Sequence, residues 1–531
     1  MDLSSSTDNE YLCTIKNIYQ NISTKELLEY IKSSNDSHYI RSEGNAILVD
    51  SGEIKGRLPE DKYIVETKYA KKNVWWSDKG SDNKPLSRNN WKIVKEKVRQ
   101  DISQKDLFVI DGFYNNDVKN RIAVRFVTNV AWAAYFFKLV SIEPTQEELE
   151  DFSAEWTILH SPSTKIEDFA ELGLNSPNII ATNLKQRESI IAGTYYLTEI
   201  DKILLSSMSY YLSLTNIGVF HCAVGIDKSD NTTMFFGLSG SGKTTLALTN
   251  RELFANGATA WADDGLHSLD GGFTVKAASF SRENQNIKDI LEGQALIENP
   301  NFDEQGNIIF GSKTKGQSNT YLAFSKESLT NVKLESSNPK TIIFLVKDSK
   351  GVLPRVSKLT KGQAIYHFLS GYTCTSIGIE NGVSEPKLEF SSCYAQPFLL
   401  LEPTRYAKIL RQRLKMSDAK IYMVNVGWIE GDYTTGRRAP VDETKMLVDY
   451  ITNPSENVQF VYKREKYFNF KSISEIHDGE KVIKVDNTWT DIREYKKSYK
   501  ALAKSFIKNY KYQFPIDNEF SMKYEQFGPI L

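Results

Sequence analysis

The sequence predicts a mixed α/β protein with more than one domain. Short apolar runs with strand-like composition alternate with segments whose apolar residues recur at helical spacing. A glycine-rich loop near the middle of the chain joins one such run to a helical segment. The 531 residues are enough for about two to four domains, each with its own core.

Individual elements follow from these local patterns. Helical spacing predicts helices over 24–33, 130–139 and 496–511. Continuous apolar runs predict strands over 107–111, 122–127, 179–181, 189–192 and 341–346. Helical segments fall between some of these strands, which is the alternation that an α/β fold requires.

Charge and composition exclude several classes of protein. The 66 Lys and Arg residues nearly balance the 67 Asp and Glu residues, so the net charge is −1. Non-specific nucleic-acid binding needs a clear basic excess, and we therefore expect no nucleic-acid partner. The 40% hydrophobic and 25% charged composition is typical of a folded globular protein and not of a disordered or coiled-coil chain.

Cysteine content and hydropathy predict the cellular compartment of the protein. Four widely spaced cysteines without a Cys-x-x-Cys pair favour a reducing environment and free thiols over a zinc site. The polar N-terminal segment has no apolar signal region, and charged residues interrupt the most apolar run, 122–140. We therefore expect a cytoplasmic protein with no membrane anchor, and we favour a monomer.

The strongest motif is a Walker A pattern, Gly-Leu-Ser-Gly-Ser-Gly-Lys-Thr, over 237–244. An apolar run precedes it and a helical segment follows, which is the order that a phosphate-binding loop needs. Backbone N–H groups surround phosphate oxygens, the lysine neutralises them and the threonine ligates Mg²⁺. An ordinary glycine-rich turn is the alternative. The predicted nucleotide contacts in this motif are Gly237, Ser239, Gly240, Ser241, Gly242, Lys243, Thr244 and Thr245.

An acidic pair follows the loop, and a metal that bridges nucleotide phosphates requires such carboxylates. Asp263 and Asp264 come directly after the apolar run 258–262. We expect this run to be a strand whose end lies near the glycine-rich loop. A solvated turn that ends in Asp-Asp-Gly is the alternative.

With these motifs, the chain resembles the ATP-dependent phosphoenolpyruvate carboxykinase family from about residue 50 to about residue 510. The resemblance rests on the collinear stretches 56–63, 124–132, 193–196, 237–244, 351–357, 367–373 and 424–428. It implies a two-domain α/β fold, with an N-terminal substrate-side domain over 1–216 and a P-loop nucleotide- and metal-binding domain over 217–531. The active site is expected in the cleft between the two domains.

The resemblance implies a transition-metal site. Lys202, His221 and Asp264 are expected to hold the metal, usually Mn²⁺, and the lysine must be neutral to act as a ligand. Without the resemblance, the histidine would more simply be a core residue and the lysine a surface charge.

The resemblance also implies nucleotide contacts. Lys243 is expected to bind the β- and γ-phosphates and Thr244 to ligate Mg²⁺, with Asp263 holding the water molecules of that ion. Arg438 and Thr444 match the segment of the family that contacts the nucleotide, with Arg438 on the triphosphate.

On the substrate side, the resemblance assigns Arg57 and Tyr196 to the carboxylated substrate and phosphoenolpyruvate. A planar guanidinium suits a carboxylate or a phosphate, so an anionic acceptor is expected. The catalytic residues expected on these grounds are Arg57, Lys202, Lys243, Asp263 and Asp264.

Departures from the family pattern gather on the substrate side and predict an altered pocket. The stretch 314–321 has no arginine where the family carries one, and Lys313 or Lys315 is the nearest substitute. Loss of an arginine beside a transferring phosphoryl group costs roughly 10³ to 10⁵ in rate. The remaining departures are Leu58, Leu197, Thr198, Asp201, Gln285 and the shortened segment 265–271.

Three functions remain open from the sequence. The favoured one is an ATP-dependent phosphotransferase whose acceptor is an anionic molecule other than oxaloacetate, held by Arg57. A genuine carboxykinase, which converts oxaloacetate and ATP to phosphoenolpyruvate, CO₂ and ADP, is the second. A catalytically silent nucleotide-binding regulator is the third. For an enzyme, the expected cofactors are ATP, Mg²⁺ and Mn²⁺.

Overall fold

A computed structural model describes residues 16–280, 285–310, 320–328, 335–375, 385–485, 487–514 and 518–531. Among the described residues, two large sheets, four smaller ones and the helices around them confirm the mixed α/β class. Within the described ranges, no helix is both long enough and apolar enough to cross a bilayer.

The first half of the chain forms an eight-stranded mixed sheet. In spatial order its strands are Ile18–Gln20, Leu107–Tyr114, Ile122–Thr128, Trp156–Ser161, Glu188–Ala192, Ile179–Asn183, Lys62–Val65 and Lys84–Leu86. The α-helices of this half are Thr24–Ser33, Lys68–Asn73, Arg88–Ile102, Ala131–Val140, Gln146–Glu150 and Thr198–Leu214.

The second large sheet carries the glycine-rich loop. Its strands, in spatial order, are Glu252–Asn256, Cys222–Ile226, Thr232–Phe236, Thr341–Val346, Lys420–Asn425, Val356–Lys358, Lys471–Asp478 and Val458–Arg464, with Lys481–Lys484 paired to Lys471–Asp478. The α-helices of this half are Lys243–Ala247, Gln285–Glu292, Lys361–Ser370, Pro403–Met416, Val441–Thr452, Ile492–Gln513 and Glu519–Glu525.

Of the four smaller sheets, one connects the two halves of the chain and three lie within the second half. A five-stranded sheet has the order Gly272–Lys276, Tyr321–Ser325, Ala295–Glu298, Ala46–Val49 and Tyr39–Glu43. A four-stranded sheet has the order Gly218–Phe220, Thr259–Trp261, Leu266–Ser268 and Glu335–Ser336. The two-stranded pairs are Tyr372–Cys374 with Leu388–Phe390 and Trp428–Ile429 with Arg437–Arg438. The division at residue 216 stays a prediction, and the pairing of 46–49 with 295–298 crosses it.

Local sequence explains the main helices. Ser23 caps the helix Thr24–Ser33, because its hydroxyl accepts the N–H of Glu26 and the Glu26 carboxylate bonds back to the cap. The helix Ala131–Val140 consists almost entirely of apolar residues and is buried on nearly all sides. The helix Thr198–Leu214 is similarly buried, although it carries three charged residues near its start, and these belong to the site described next.

Candidate functional site

The glycine-rich loop lies at the carboxyl edge of the second large sheet. The strand Thr232–Phe236 leads into it and the helix Lys243–Ala247 follows, as the motif predicts. Gly240 and Gly242 have φ angles of 74° and 85°, which side chains with a Cβ rarely adopt. The strand Thr341–Val346 runs parallel to Thr232–Phe236, so Lys347 emerges at the same edge.

Lysine side chains surround the loop. The Lys243 ammonium donates to the carbonyl oxygens of Gly237, at 2.6 Å, and Leu238, at 3.3 Å. Dense packing around this ammonium lowers the pKa of Lys243 to about 7, although part of the side chain still reaches solvent. The positive charges of Lys202, Lys276 and Lys347 lower it further, so these groups lie close to the loop.

A cluster around the Phe398 ring adjoins these lysines. The Arg57 guanidinium stacks 4.5 Å from the ring centroid, the Lys202 ammonium lies 5.8 Å away and the His221 ring 5.3 Å away. Burial, together with the charges of Lys243 and Lys202, holds the pKa of His221 well below its usual range, so the imidazole is neutral. The structure therefore brings four predicted site residues together.

Two carboxylates face this cluster from the helix Thr198–Leu214. Glu199 accepts the N–H of Leu58 at 2.7 Å and lies 3.9 Å from the Arg57 Nε. Asp201 accepts the Lys202 ammonium at 2.7 Å and the Tyr114 hydroxyl at 3.3 Å. Sequence analysis singled out Asp201 as a departure but did not predict that it pairs with the neighbouring lysine.

Tyr196 lies behind this surface. Its side chain is buried, and its ring meets the edge of the Tyr321 ring at a centroid distance of 6.1 Å. The backbone N–H of the next residue, Leu197, donates to the buried carboxyl of Glu298 at 2.9 Å. Of the stretch predicted to lack an arginine, Tyr321 is described, whereas Lys313 and Lys315 lie outside the described residues, as do Cys13 and the side chain of Gln285.

The structure does not bring Asp263 and Asp264 to the loop. The apolar run before them does form a strand, Thr259–Trp261, but it pairs antiparallel with Gly218–Phe220. Gly257 therefore lies beside His221. From Gly257 the chain runs away from His221, and the six residues to Asp263 span up to roughly 20 Å.

At that far end, both carboxylates have other partners. Asp263 pairs with Arg413, and Asp264 accepts His267 Nε2 at 2.9 Å. Their side chains are 79% and 65% exposed, in a surface pocket that Asn216 also lines. The expectation that Asp264 joins Lys202 and His221 is therefore wrong in this structure, and so is the placement of Asp263 on nucleotide-bound Mg²⁺.

Asn256 occupies the place where the acidic pair was expected. It ends the strand Glu252–Asn256, and its Oδ1 accepts the Thr244 hydroxyl at 2.7 Å. Its Nδ2 donates to the carbonyl oxygen of Thr274 at 2.7 Å, which fixes the amide orientation. The next residue, Gly257, accepts His221 Nδ1 at 2.6 Å through its carbonyl. Sequence reasoning missed Asn256 and Gly257 because neither residue carries a carboxylate side chain.

The expected divalent metals do not fit these residues. Across the described ranges, no group of three His, Cys, Asp or Glu side chains could hold a metal ion. Lys202 and His221 are neighbours, but the carboxylate predicted to complete their set is absent, and Lys202 donates to Asp201. Thr244, the predicted Mg²⁺ ligand, faces a neutral amide.

The predicted nucleotide residues beyond the loop differ in accessibility. Arg438 is exposed and stacks 5.7 Å from the Trp428 ring. Its charge and that of Lys347 both act on the buried thiol of Cys374, so both cations lie near this thiol. Thr444 is buried, and its hydroxyl already donates to a carbonyl oxygen of its own helix turn. The structure does not bring Thr444 to the loop surface.

Comparison with known proteins identifies the family. A family model described as phosphoenolpyruvate carboxykinase matches residues 16–481. The phosphoenolpyruvate carboxykinase (ATP) of Campylobacter jejuni subsp. jejuni serotype O:23/36 (strain 81-176) is 34% identical over 528 residues, which cover 98% of this chain and 99% of that protein. The similarity confirms the expectation of an ATP-dependent enzyme. This chain therefore belongs to the family of ATP-dependent phosphoenolpyruvate carboxykinases.

Proposed function

We propose that the protein is an ATP-dependent phosphoenolpyruvate carboxykinase, which converts oxaloacetate and ATP to phosphoenolpyruvate, CO₂ and ADP. Its family and its Campylobacter relative support this activity. The observation that carries the proposal is the convergence of Arg57, Lys202 and His221 on Phe398, beside Lys243. A site with this many cationic side chains suits two polyanionic substrates.

The proposed reaction has two bond-breaking steps. A C–C bond of oxaloacetate breaks, CO₂ leaves, and the electron pair remains as the enolate of pyruvate. The enolate oxygen then attacks the γ-phosphorus in line, and the bond to the departing ADP breaks. In this proposal Arg57 holds a substrate carboxylate, with its guanidinium plane set by the Phe398 ring, while Lys243 neutralises charge that develops on the phosphates.

In this proposal the glycine-rich loop holds the ATP phosphates. The Ser241 Oγ is buried and has no hydrogen-bond partner among the described residues, so it is available to a bound phosphate. The exposed guanidinium of Arg438 extends the same surface toward the triphosphate. Donors that lack partners in the ligand-free protein lose little when a phosphate arrives.

Oxaloacetate is preferred over another anionic acceptor. The Arg57 Nε is buried without a hydrogen-bond partner in the described protein, and its nearest carboxylate oxygen, on Glu199, is 3.9 Å away. This leaves the guanidinium available for a carboxylate, and oxaloacetate supplies two. Nothing in the family or the relative points to a different acceptor.

A silent nucleotide-binding regulator is the second candidate. The observation in its favour is that Asn256 and Gly257 stand beside Thr244 and His221 where carboxylates were expected. Such a protein would bind ATP without turning it over. A monomeric state, a cytoplasmic location and the two-domain division also remain predictions.

Phosphorus NMR of the purified protein with ATP and oxaloacetate tests the proposal. We expect a phosphoenolpyruvate signal that depends on oxaloacetate and disappears in Lys243→Ala. Asp264→Asn is the matched control and should retain the signal, because Asp264 lies away from the cluster. ADP without phosphoenolpyruvate would instead indicate another acceptor, and bound ATP without turnover would favour the regulator.

A further inference from the structure

The first observation concerns the Thr244 hydroxyl, the group that a phosphate-binding loop offers to Mg²⁺. It donates to the neutral amide oxygen of Asn256 at 2.7 Å. The amide cannot turn to present another group, because its Nδ2 donates to Thr274 O at 2.7 Å. Hard divalent cations favour charged carboxylate oxygens, so this position binds Mg²⁺ weakly.

The second observation is the backbone beside Lys202 and His221. Gly257 has a φ of 115° and no side chain, and a Cβ built there would lie 3.7 Å from the Lys202 ammonium. A carboxylate at this position would therefore reach the Lys202 ammonium. The glycine instead offers only its carbonyl, which already accepts His221 Nδ1.

The nearby acids do not replace the missing ligand. Glu199 is committed to the Leu58 N–H, and Asp201 is committed to Lys202 and Tyr114. In the part of the chain that the structure describes, no group of three or more His, Cys, Asp and Glu side chains could hold a metal ion.

The third observation is the number of cations around the loop. Lys202, Lys276 and Lys347 all lie close enough to Lys243 for their charges to act on its ammonium. The Lys276 ammonium also stacks 5.5 Å from the Tyr321 ring, which holds it on the same side. Asp201 offsets part of the Lys202 charge, and the four ammonium groups together can still supply positive charge that a divalent cation brings to ATP.

We infer that this site binds the phosphates of ATP through fixed lysine ammonium groups and does not require a divalent cation for nucleotide binding. The inference rests on the proposed function only in placing ATP at the loop 237–244. The form of nucleotide that binds is free ATP and not its metal complex. The phosphoryl acceptor does not enter this inference.

Isothermal titration calorimetry of the full chain with ATP tests this inference. We compare excess EDTA with saturating Mg²⁺ or Mn²⁺, and expect dissociation constants within roughly threefold of one another. Binding that weakens by more than about tenfold in EDTA would overturn the inference. Lys276→Met should weaken binding in EDTA by about tenfold, because one of the four charges is lost.

A gain-of-function variant provides the converse test. Asn256→Asp places a carboxylate beside Thr244 and should make ATP affinity at least about tenfold stronger with Mn²⁺ than in EDTA. Asp264→Asn, the matched control, should leave the metal dependence unchanged. If Asn256→Asp lowers stability, Mn²⁺ titration of the wild-type protein, followed by electron paramagnetic resonance, tests the inference instead. Tight Mn²⁺ binding at this site would contradict the inference.

These outcomes separate the inference from the proposed activity. Metal-independent ATP binding without phosphoenolpyruvate formation would support the inference and contradict the carboxykinase proposal. Phosphoenolpyruvate formation together with metal-dependent ATP binding would support the carboxykinase proposal and contradict the inference.

Discussion

The buried carboxyl of Glu298 makes protein stability depend on pH, and this dependence can be worked out from the structure. Glu298 ends the strand Ala295–Glu298, is only 2% exposed, and accepts the N–H of Leu197 beside the site. Burial raises the pKa of Glu298 from 4.5 to about 8, against the smaller opposite effect of this hydrogen bond.

The sign follows from proton binding in the two states. Below the unfolded-state value, the carboxyl is protonated in both states and carries no penalty. As pH rises above it, the unfolded chain ionises first, so stability is lost until pH passes the folded-state pKa. A rise from 4.5 to about 8 corresponds to roughly 5 kcal/mol over the whole interval, and to roughly 3 kcal/mol between about pH 5.5 and pH 8.5.

Glu298→Gln removes this ionisation and retains a carbonyl oxygen for the Leu197 N–H. We expect the stability of the variant relative to wild type to increase by roughly 3 kcal/mol between about pH 5.5 and pH 8.5. Urea unfolding of the ligand-free chain, followed by tryptophan fluorescence, measures the free energy of unfolding of both proteins at each pH. Glu150→Gln, at the exposed end of a surface helix, is the control. An equal difference between variant and wild type at both pH values would refute the reasoning.

Three further predictions concern the site. Lys243→Ala should weaken ATP binding by about tenfold to a hundredfold in calorimetry, with an unchanged circular dichroism spectrum, because a phosphate partner is lost; wild-type affinity would contradict its role. Arg57→Gln should raise the KM for oxaloacetate by more than about tenfold while changing the dissociation constant of ATP less, and equal losses would argue against its placement. Gly225→Ala should lower stability by about 1–3 kcal/mol, because the new Cβ would meet Ala247 O at 2.4 Å behind the glycine-rich loop. Thermal unfolding measures this loss, and Gly56→Ala, with open space around the Cβ, should cost less.

Local patterns in the sequence predicted several elements of the fold. The helix predicted over 24–33 is confirmed as Thr24–Ser33, and the strand over 341–346 as Thr341–Val346. These elements carry their own signals, helical spacing in one case and a continuous apolar run in the other. The glycine-rich loop likewise has the predicted strand before it and helix after it.

The pairing between distant strands could not be predicted in this way. The run before Asp263 is a strand, as expected, but only its antiparallel register with Gly218–Phe220 reveals that it leads away from His221. An acidic pair at a plausible spacing matched the expected motif, whereas the side chain that meets Thr244 is Asn256. A search for carboxylates cannot find a position that carries an amide.

The lysines around the glycine-rich loop have a consequence for the lifetime of the protein. The Lys202–Asp201 ion pair offsets only part of their mutual repulsion, so a bound anion stabilises the folded chain. A ligand at a hundred times its dissociation constant adds about 2.7 kcal/mol to the stability of the folded state. Resistance to proteases would then rise and fall with the supply of polyphosphorylated solutes, and the energy charge of the surroundings would determine how long each molecule survives.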